Sequence, residues 1–155
     1  MTTHLSEIDR MQERLLLIRT VVGWTAEDFG NRIGVTRQTI NNLEKSRIKL
    51  SKTQYIAMRS VLDEEIRTYP EETKMLQLIL DAFIDHPEKY SEEERRELLS
   101  KANLISPSIL TKTMTRKDVS DEYIKIAKML GIVLSMGPIM GTWLRKIIES
   151  NRDKS

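Results

Sequence analysis

The fold is decided by residues 25–44, which read TAEDFGNRIGVTRQTINNLE. Two segments with helical spacing of apolar residues are separated by a glycine and a threonine, which predicts two short helices joined by a tight turn. Thr25 and Thr36 stand where the two helices would begin, and threonine is a favoured N-cap. Gly34 supplies the left-handed backbone that the turn requires. The two helices are therefore expected to cross at a steep, fixed angle.

A buried seam is expected between these two helices. The residues that would fill it share helical spacing, and they are Phe29, Ile33, Val35, Ile40 and Leu43. Gly30 falls where the helices approach most closely, so only a very small side chain fits there. With the seam buried, the second helix presents an outward face of Arg37, Gln38, Asn41 and Asn42. Glutamine and asparagine amides can bond adenine edges and arginine can bond guanine, so this face suits base reading in DNA.

The charge along the chain changes sign after this region. From Arg32 to Arg59 there are seven basic residues against one acid, Glu44. From Ser60 to Ser100 there are twelve acids against five bases. A basic block is what a phosphate-facing surface needs, whereas the acidic block would be repelled by DNA.

The composition excludes several kinds of site. The chain of 155 residues has no cysteine and two histidines, His4 and His86, without ligand-spaced partners. It also lacks a glycine-rich phosphate loop and a nucleophile elbow. We therefore expect neither an enzyme nor a bound cofactor or metal. The N-terminus does not read as a signal peptide, which makes a cytoplasmic location the expectation.

Residues 6–68 resemble the phage-repressor-like, or Xre-type, helix-turn-helix family. The resemblance depends on the apolar positions, the turn glycine, the run Thr36–Ile40 and the pair Leu43–Glu44 occurring together. Three positions depart from the family: Gly30 replaces the usual alanine, Ala26 a frequent glutamine, and Ser46 a common helix-ending glycine. The resemblance implies a helical DNA-binding domain.

The resemblance also implies roles for individual residues. Arg37, Gln38 and Asn42 correspond to base-reading positions, to which the outward face adds Asn41. The phosphate-facing positions are Thr36, Lys45, Arg47 and Lys49. Glu44 corresponds to a residue that pairs with Arg19 of the first helix, which is a structural role.

The remaining sequence also reads as helices, so the predicted class is all-α. Ser6 begins a first helix that Gly23 ends, and Ser51 begins a fourth. Pro70 suits the start of a fifth helix, Ser91 with Glu94 forms a capping box, and Ser106–Pro107 starts a short helical segment. Ser120 is expected to cap a long apolar segment that runs to Pro138, before a last helix to Glu149. We divide the chain into a DNA-binding domain, 1–68, and a helical region for oligomerisation or partner binding, 69–155.

Two apolar stretches mark the second region. One is an amphipathic helix whose stripe is Met75, Leu76, Ile79, Leu80 and Phe83, which suits either the core of the chain or a dimer interface. The other is the charge-free run 129–144, which is shorter than the roughly 20 residues of a membrane span. A buried helix and turn is expected there, with Gly131, Gly137 and Gly141 allowing close packing. Its methionines, Met129, Met136 and Met140, could line a pocket for a small apolar effector.

These observations predict a DNA-binding transcriptional regulator, and specifically a repressor. A single reading head makes few contacts with DNA, so a homodimer that reads two half-sites is expected. The first alternative is a protein-interaction module, such as an antitoxin-like protein or an adaptor, that uses the C-terminal helices. The second is a membrane-tethered regulator that uses residues 129–144.

Overall fold

The computed structural model describes residues 6–132 and 142–152. Within these ranges the chain forms ten α-helices and no strand, as the all-α prediction requires. The helices are α1 (Glu7–Glu13), α2 (Leu15–Val22), α3 (Ala26–Ile33), α4 (Arg37–Glu44), α5 (Lys52–Thr68), α6 (Lys74–Ile79), α7 (Glu92–Ile105), α8 (Pro107–Leu110), α9 (Arg116–Met129) and α10 (Thr142–Arg152). A π-helical turn, Leu80–Asp85, continues α6, and a 3₁₀ turn, Pro87–Lys89, follows it.

The local signals in the sequence locate several helix ends correctly. The side chains of Thr25, Thr36, Ser51 and Ser91 each accept a hydrogen bond from a backbone N–H in the first turn of the helix that follows. Gly23 and Gly34 end α2 and α3 in the left-handed conformation, with φ of 85° and 82°. Caps of this kind depend on neighbouring residues alone, so they can be read from sequence.

The predicted first helix is two helices in the structure. The helical path breaks at Arg14, which has φ −108° and ψ 14°, and α1 is thereby separated from α2. The predicted start at Pro70 is also early, because residues 70–73 form turns and α6 begins at Lys74.

Ser120 is not a cap, contrary to the sequence prediction. Thr115 caps α9, and Ser120 lies buried inside that helix. Its hydroxyl donates to the carbonyl of Glu72 at 2.7 Å and accepts from the amide of Met75 at 3.3 Å. Ser120 therefore joins α9 to the start of α6.

The predicted apolar helix up to Pro138 is interrupted. Helix α9 ends at Met129, and Gly131 has a left-handed φ of 80°. Most of the charge-free run 129–144, with Met136, Gly137, Met140 and Gly141, lies outside the described residues. Among the helices that are described, none has the length and hydropathy needed to cross a bilayer.

The first five helices and the later ones share one apolar core. Buried residues of α1, α2 and α5 belong to the same cluster as buried residues of α6, α7 and α9. The predicted stripe on α6 and the π-helical turn, which comprises Met75, Leu76, Ile79, Leu80 and Phe83, is buried within the chain. Of the two roles that the sequence allowed for this stripe, the structure shows the core.

Polar contacts also tie the two predicted domains together. The guanidinium of Arg59, which is 3% exposed, binds both carboxylate oxygens of Asp85 at 2.7 and 2.9 Å. Arg116 of α9 bonds Glu65 at 2.6 Å and the carbonyl of Val22 at 3.0 Å. The boundary between 68 and 69 stays a prediction, and both sides of it meet in a shared core.

Candidate nucleic-acid interface

Helices α3 and α4 pack closely because of a glycine in α3. A Cβ added to Gly30 would lie 2.6 Å from the carbonyl oxygen of Val35, which is closer than Cβ atoms approach backbone. The amides of Gly34 and Val35 both donate to the carbonyl of Gly30, at 2.8 and 2.9 Å. The turn therefore folds directly back onto Gly30, as the sequence predicted for a site of closest approach.

The predicted seam lies between the two helices. Phe29, Ile40 and Leu43 are fully buried, while Ile33 and Val35 are partly buried against the same core. This packing leaves one side of α4 free to face solvent.

The predicted base-reading residues lie on that outward side of α4. Arg37 and Gln38, in its first turn, are exposed, whereas Asn41 and Asn42 are half-buried. The Gln38 amide donates to the Asn42 side-chain oxygen at 3.3 Å, so the two side chains lie together one turn apart. The amide nitrogen and oxygen of an exposed glutamine match the N7 and N6 groups of adenine.

Thr36 holds the start of this helix. Its hydroxyl oxygen accepts from the Thr39 amide at 3.1 Å and contacts the Thr39 hydroxyl at 3.0 Å. Thr36 itself is exposed, so it is accessible at the end of α4 that a phosphate would approach.

The chain between α4 and α5 forms a segment that we call the basic loop, residues 45–50. Lys45, Arg47 and Lys49 are all exposed, and none makes an ion pair with another described residue. Ser46 adopts φ 57°, the left-handed conformation that a glycine would take more easily. The amide of Arg47 donates back to the Asn42 carbonyl at 2.9 Å, which keeps the basic loop next to the outward face of α4.

Arg19 and Glu44 form the pair that the resemblance implied. Two guanidinium nitrogens of Arg19 bind the two carboxylate oxygens of Glu44 at 2.5 and 3.0 Å, and a third donates to the Trp24 carbonyl at 3.1 Å. The side chains are only 11% and 7% exposed. The pair fixes the end of α4 to α2. Glu44, the single acid of the basic block, therefore has a structural role.

The start of α3 is occupied by an acid. The Asp28 carboxylate accepts from the Thr25 amide at 3.1 Å, and its own amide donates to the Thr25 hydroxyl at 3.0 Å. Hydrogen bonds to the carboxylate, first from the Thr25 amide and then from the Thr25 side chain, hold the pKa of Asp28 below its ordinary value, so the group is ionised at neutral pH.

One base of the predicted basic block does not face outward, because Arg59 is buried against Asp85. Arg32 is exposed, and its guanidinium lies over the Trp24 ring at 4.0 Å from the ring centre. Sequence reasoning also missed Gln12 of α1, whose side chain bonds the end of α4 at Leu43 and the second half of the basic loop at Ile48 and Leu50. No local signal marks Gln12, because its partners lie at least 31 residues further along the chain.

Residues 17–68 match the model of the helix-turn-helix family, which covers about a third of the chain. This match confirms the resemblance to the Xre and lambda-repressor type for that segment. Comparison with curated proteins and with solved structures gave no match. The protein therefore carries an N-terminal helix-turn-helix domain of a family of DNA-binding transcription regulators, followed by further helices.

Proposed function

We propose that this protein is a sequence-specific DNA-binding transcription regulator that reads bases with α4. The observation that carries the proposal is the outward face of α4, where exposed Arg37 and Gln38 lie in the first turn beside Asn41 and Asn42. An α-helix fits the major groove, and in proteins with this motif the N-terminal residues of the second helix contact base edges.

The basic loop would hold this helix against the duplex. Lys45, Arg47 and Lys49 are exposed and follow α4 directly, where cations could meet phosphates on either side of the groove. The exposed Thr36 at the other end of α4 would add a hydroxyl contact. Phosphate contacts fix the register of the helix, and the amides of α4 then supply the sequence preference.

A homodimer is the form that we propose binds the operator. One reading head offers a short helix and few cations, whereas specific protein–DNA interfaces need a larger area and more contacts. Two heads related by two-fold symmetry would read an inverted repeat. A dimer on a promoter excludes other proteins from the same DNA, and we therefore propose repression as its action.

Selection of bound sequences from a random DNA pool, with the purified full chain, tests this proposal. The expected product is an inverted repeat whose half-sites are centred about one helical turn, 10–10.5 base pairs, apart or a multiple of it. Pools that stay random after repeated selection at moderate salt would contradict sequence-specific binding. Enrichment of a single half-site would support base reading by α4 and contradict the dimer.

A protein partner at the C-terminal helices is the second candidate function. Leu104 of α7 is 73% exposed and Met129 of α9 is 80% exposed, and a protein partner could cover these apolar side chains. In this case the chain would act through protein contacts, as an adaptor does. Retention on DNA that falls steeply with salt favours the regulator, and a chain without such retention favours the adaptor.

A further inference from the structure

Gln12 of α1 connects the end of α4 to the far side of the basic loop. Its side-chain nitrogen donates to the carbonyl of Leu43 at 3.0 Å and to the carbonyl of Ile48 at 2.7 Å. Its side-chain oxygen accepts from the amide of Leu50 at 2.9 Å. One half-buried amide thus satisfies three backbone groups, one at the end of α4 and two in the second half of the basic loop.

The basic loop has little else to hold its second half. The amides of Ser46 and Arg47 bond back to α4, but these bonds concern only the beginning of the loop. After Arg47, the buried Leu50 side chain is an anchor, while Ile48 is 43% exposed. The bonds of Gln12 to Ile48 and Leu50 therefore hold the backbone on either side of Lys49, the last of the three cations of the loop.

The cost of ordering such a loop bears directly on affinity. A loop that is already held in its bound conformation loses less conformational entropy when it meets a partner. Without the bonds of Gln12, the second half of the loop with Lys49 would sample more positions relative to α4, and the unfavourable conformation of Ser46 would be easier to leave. An uncharged clamp on the second half of the loop would keep the loop cations aligned with the reading helix.

We propose that Gln12 is a positioning residue for DNA binding, which holds the basic loop so that Lys45, Arg47 and Lys49 meet phosphates together. This inference rests on the proposed DNA-binding function. It assigns to α1 a role in affinity without a contact to DNA.

The test is a double-mutant cycle on the full chain. Gln12→Met keeps the length of the side chain and removes all three hydrogen bonds. We expect this variant to bind both selected and random DNA about tenfold more weakly, because the loop must be ordered at each binding event. In a background where Lys45, Arg47 and Lys49 are replaced by glutamine, the same substitution should cost nothing further, because Gln12 would act only through those cations.

Gln77→Met is the matched control. Gln77 of α6 also donates from its side-chain amide, to the Pro70 carbonyl at 2.9 Å and the Thr73 hydroxyl at 3.3 Å, but it braces the turn between α5 and α6. This variant should leave DNA affinity unchanged. Hydrogen exchange of the Leu50 amide without DNA should quicken in Gln12→Met and stay as in the wild type in Gln77→Met.

The outcomes separate this inference from the function on which it rests. If the wild type binds DNA and Gln12→Met binds it with the same affinity, the proposed role of Gln12 is overturned and the proposed DNA-binding function stands. An equal tenfold loss in the neutralised background would also overturn it, because the effect would then be general destabilisation. A wild-type chain that does not bind DNA would overturn both proposals.

Discussion

Gly30 and Ser46 differ from the residues usual in the resembled family, with opposite physical consequences. At Gly30 the turn approaches so closely that the methyl group of an alanine would lie 2.6 Å from a backbone oxygen. The crossing of α3 and α4 is therefore adapted to glycine. At Ser46 the chain keeps the left-handed conformation, φ 57°, without the glycine that would adopt it freely. Such a conformation costs a residue with a side chain about 1–2 kcal/mol, which other interactions of the basic loop must offset.

The ion pair of Arg19 and Glu44 should show strong coupling. We expect Arg19→Met and Glu44→Met each to lower the free energy of unfolding by about 3 kcal/mol, since each leaves a nearly buried charge without its partner. The double variant should lose much less than the sum of the two. Chemical denaturation of all four proteins measures this, and simple additivity would show that the two side chains do not stabilise each other.

Glu7 should make the folded chain less stable as the pH rises, which is the opposite of the usual effect of a carboxyl group. Burial and the nearby Asp85 carboxylate raise the pKa of Glu7, and these effects outweigh Lys146 and the hydrogen bond from Tyr55 at 3.2 Å. A carboxyl whose pKa is higher in the folded chain costs stability once the pH rises through that pKa. We therefore expect Glu7→Gln to melt at a higher temperature than the wild type at pH 7.

The same comparison at low pH supplies the control for Glu7. Below its ordinary pKa the carboxyl is protonated in both the folded and the unfolded chain, so Glu7→Gln and the wild type should melt alike. A variant that melts lower than the wild type at pH 7 would mean that the interactions with Lys146 and Tyr55 outweigh the cost of burial.

Local capping signals mark the starts of α3, α4 and α5, where threonine or serine stands directly before the helix and the capping bond forms within three residues. Helix α9 carries the same kind of signal, because the Thr115 hydroxyl accepts from the Asp118 amide at 3.0 Å, and the choice of Ser120 missed it. Ser120 instead bonds backbone of Glu72 and Met75, some 45 residues away, and no local pattern indicates that role. The burial of Arg59 was missed for that second reason, since its partner Asp85 lies in another element. Interactions that depend on tertiary packing leave no local pattern to read.

The basic loop should contribute to DNA binding as a set of phosphate-binding cations. We expect replacement of Lys45, Arg47 and Lys49 by glutamine to weaken binding to selected and random DNA alike. The slope of log affinity against log salt concentration should flatten by about 0.9 for each cation that no longer meets a phosphate. Filter binding or fluorescence anisotropy at several salt concentrations measures the slope.

A variant with the same change in net charge is the control for the basic loop. Lys112, Lys125 and Lys128 are lysines of the C-terminal half, and their replacement by glutamine should leave the slope unchanged. Equal flattening in both variants would show that only the total charge of the protein matters.

At the scale of the whole molecule, the C-terminal helices serve as part of the support for the reading head. Asp85 neutralises the buried Arg59 of α5, and Arg116 of α9 bonds both Glu65 and the end of α2. Arg10 of α1 donates twice to the Ile84 carbonyl, at 2.9 and 2.7 Å. A chain that ended at Thr68 would leave Arg59 buried without its acid, so we expect the reading head to depend on the helices that follow it.

The full chain should be a dimer at micromolar concentration. Sedimentation equilibrium should give twice the mass of one chain, and DNA with two half-sites should bind far more tightly than DNA with one. Because the stripe on α6 is buried within the chain, the interface between copies must use other residues. A mass of one chain, together with equal affinity for one and two half-sites, would contradict the dimer.

The most direct test of base reading by α4 compares wild type with Gln38→Ala on every single-base variant of the selected DNA site. Asn103→Ala, which removes an exposed amide from α7, is the matched control. We expect Gln38→Ala to lose about 1–3 kcal/mol of binding free energy on the selected site and to lose its preference at one base pair, while the control keeps both. Equal losses on the selected site and on random DNA, with every base preference kept, would contradict the account.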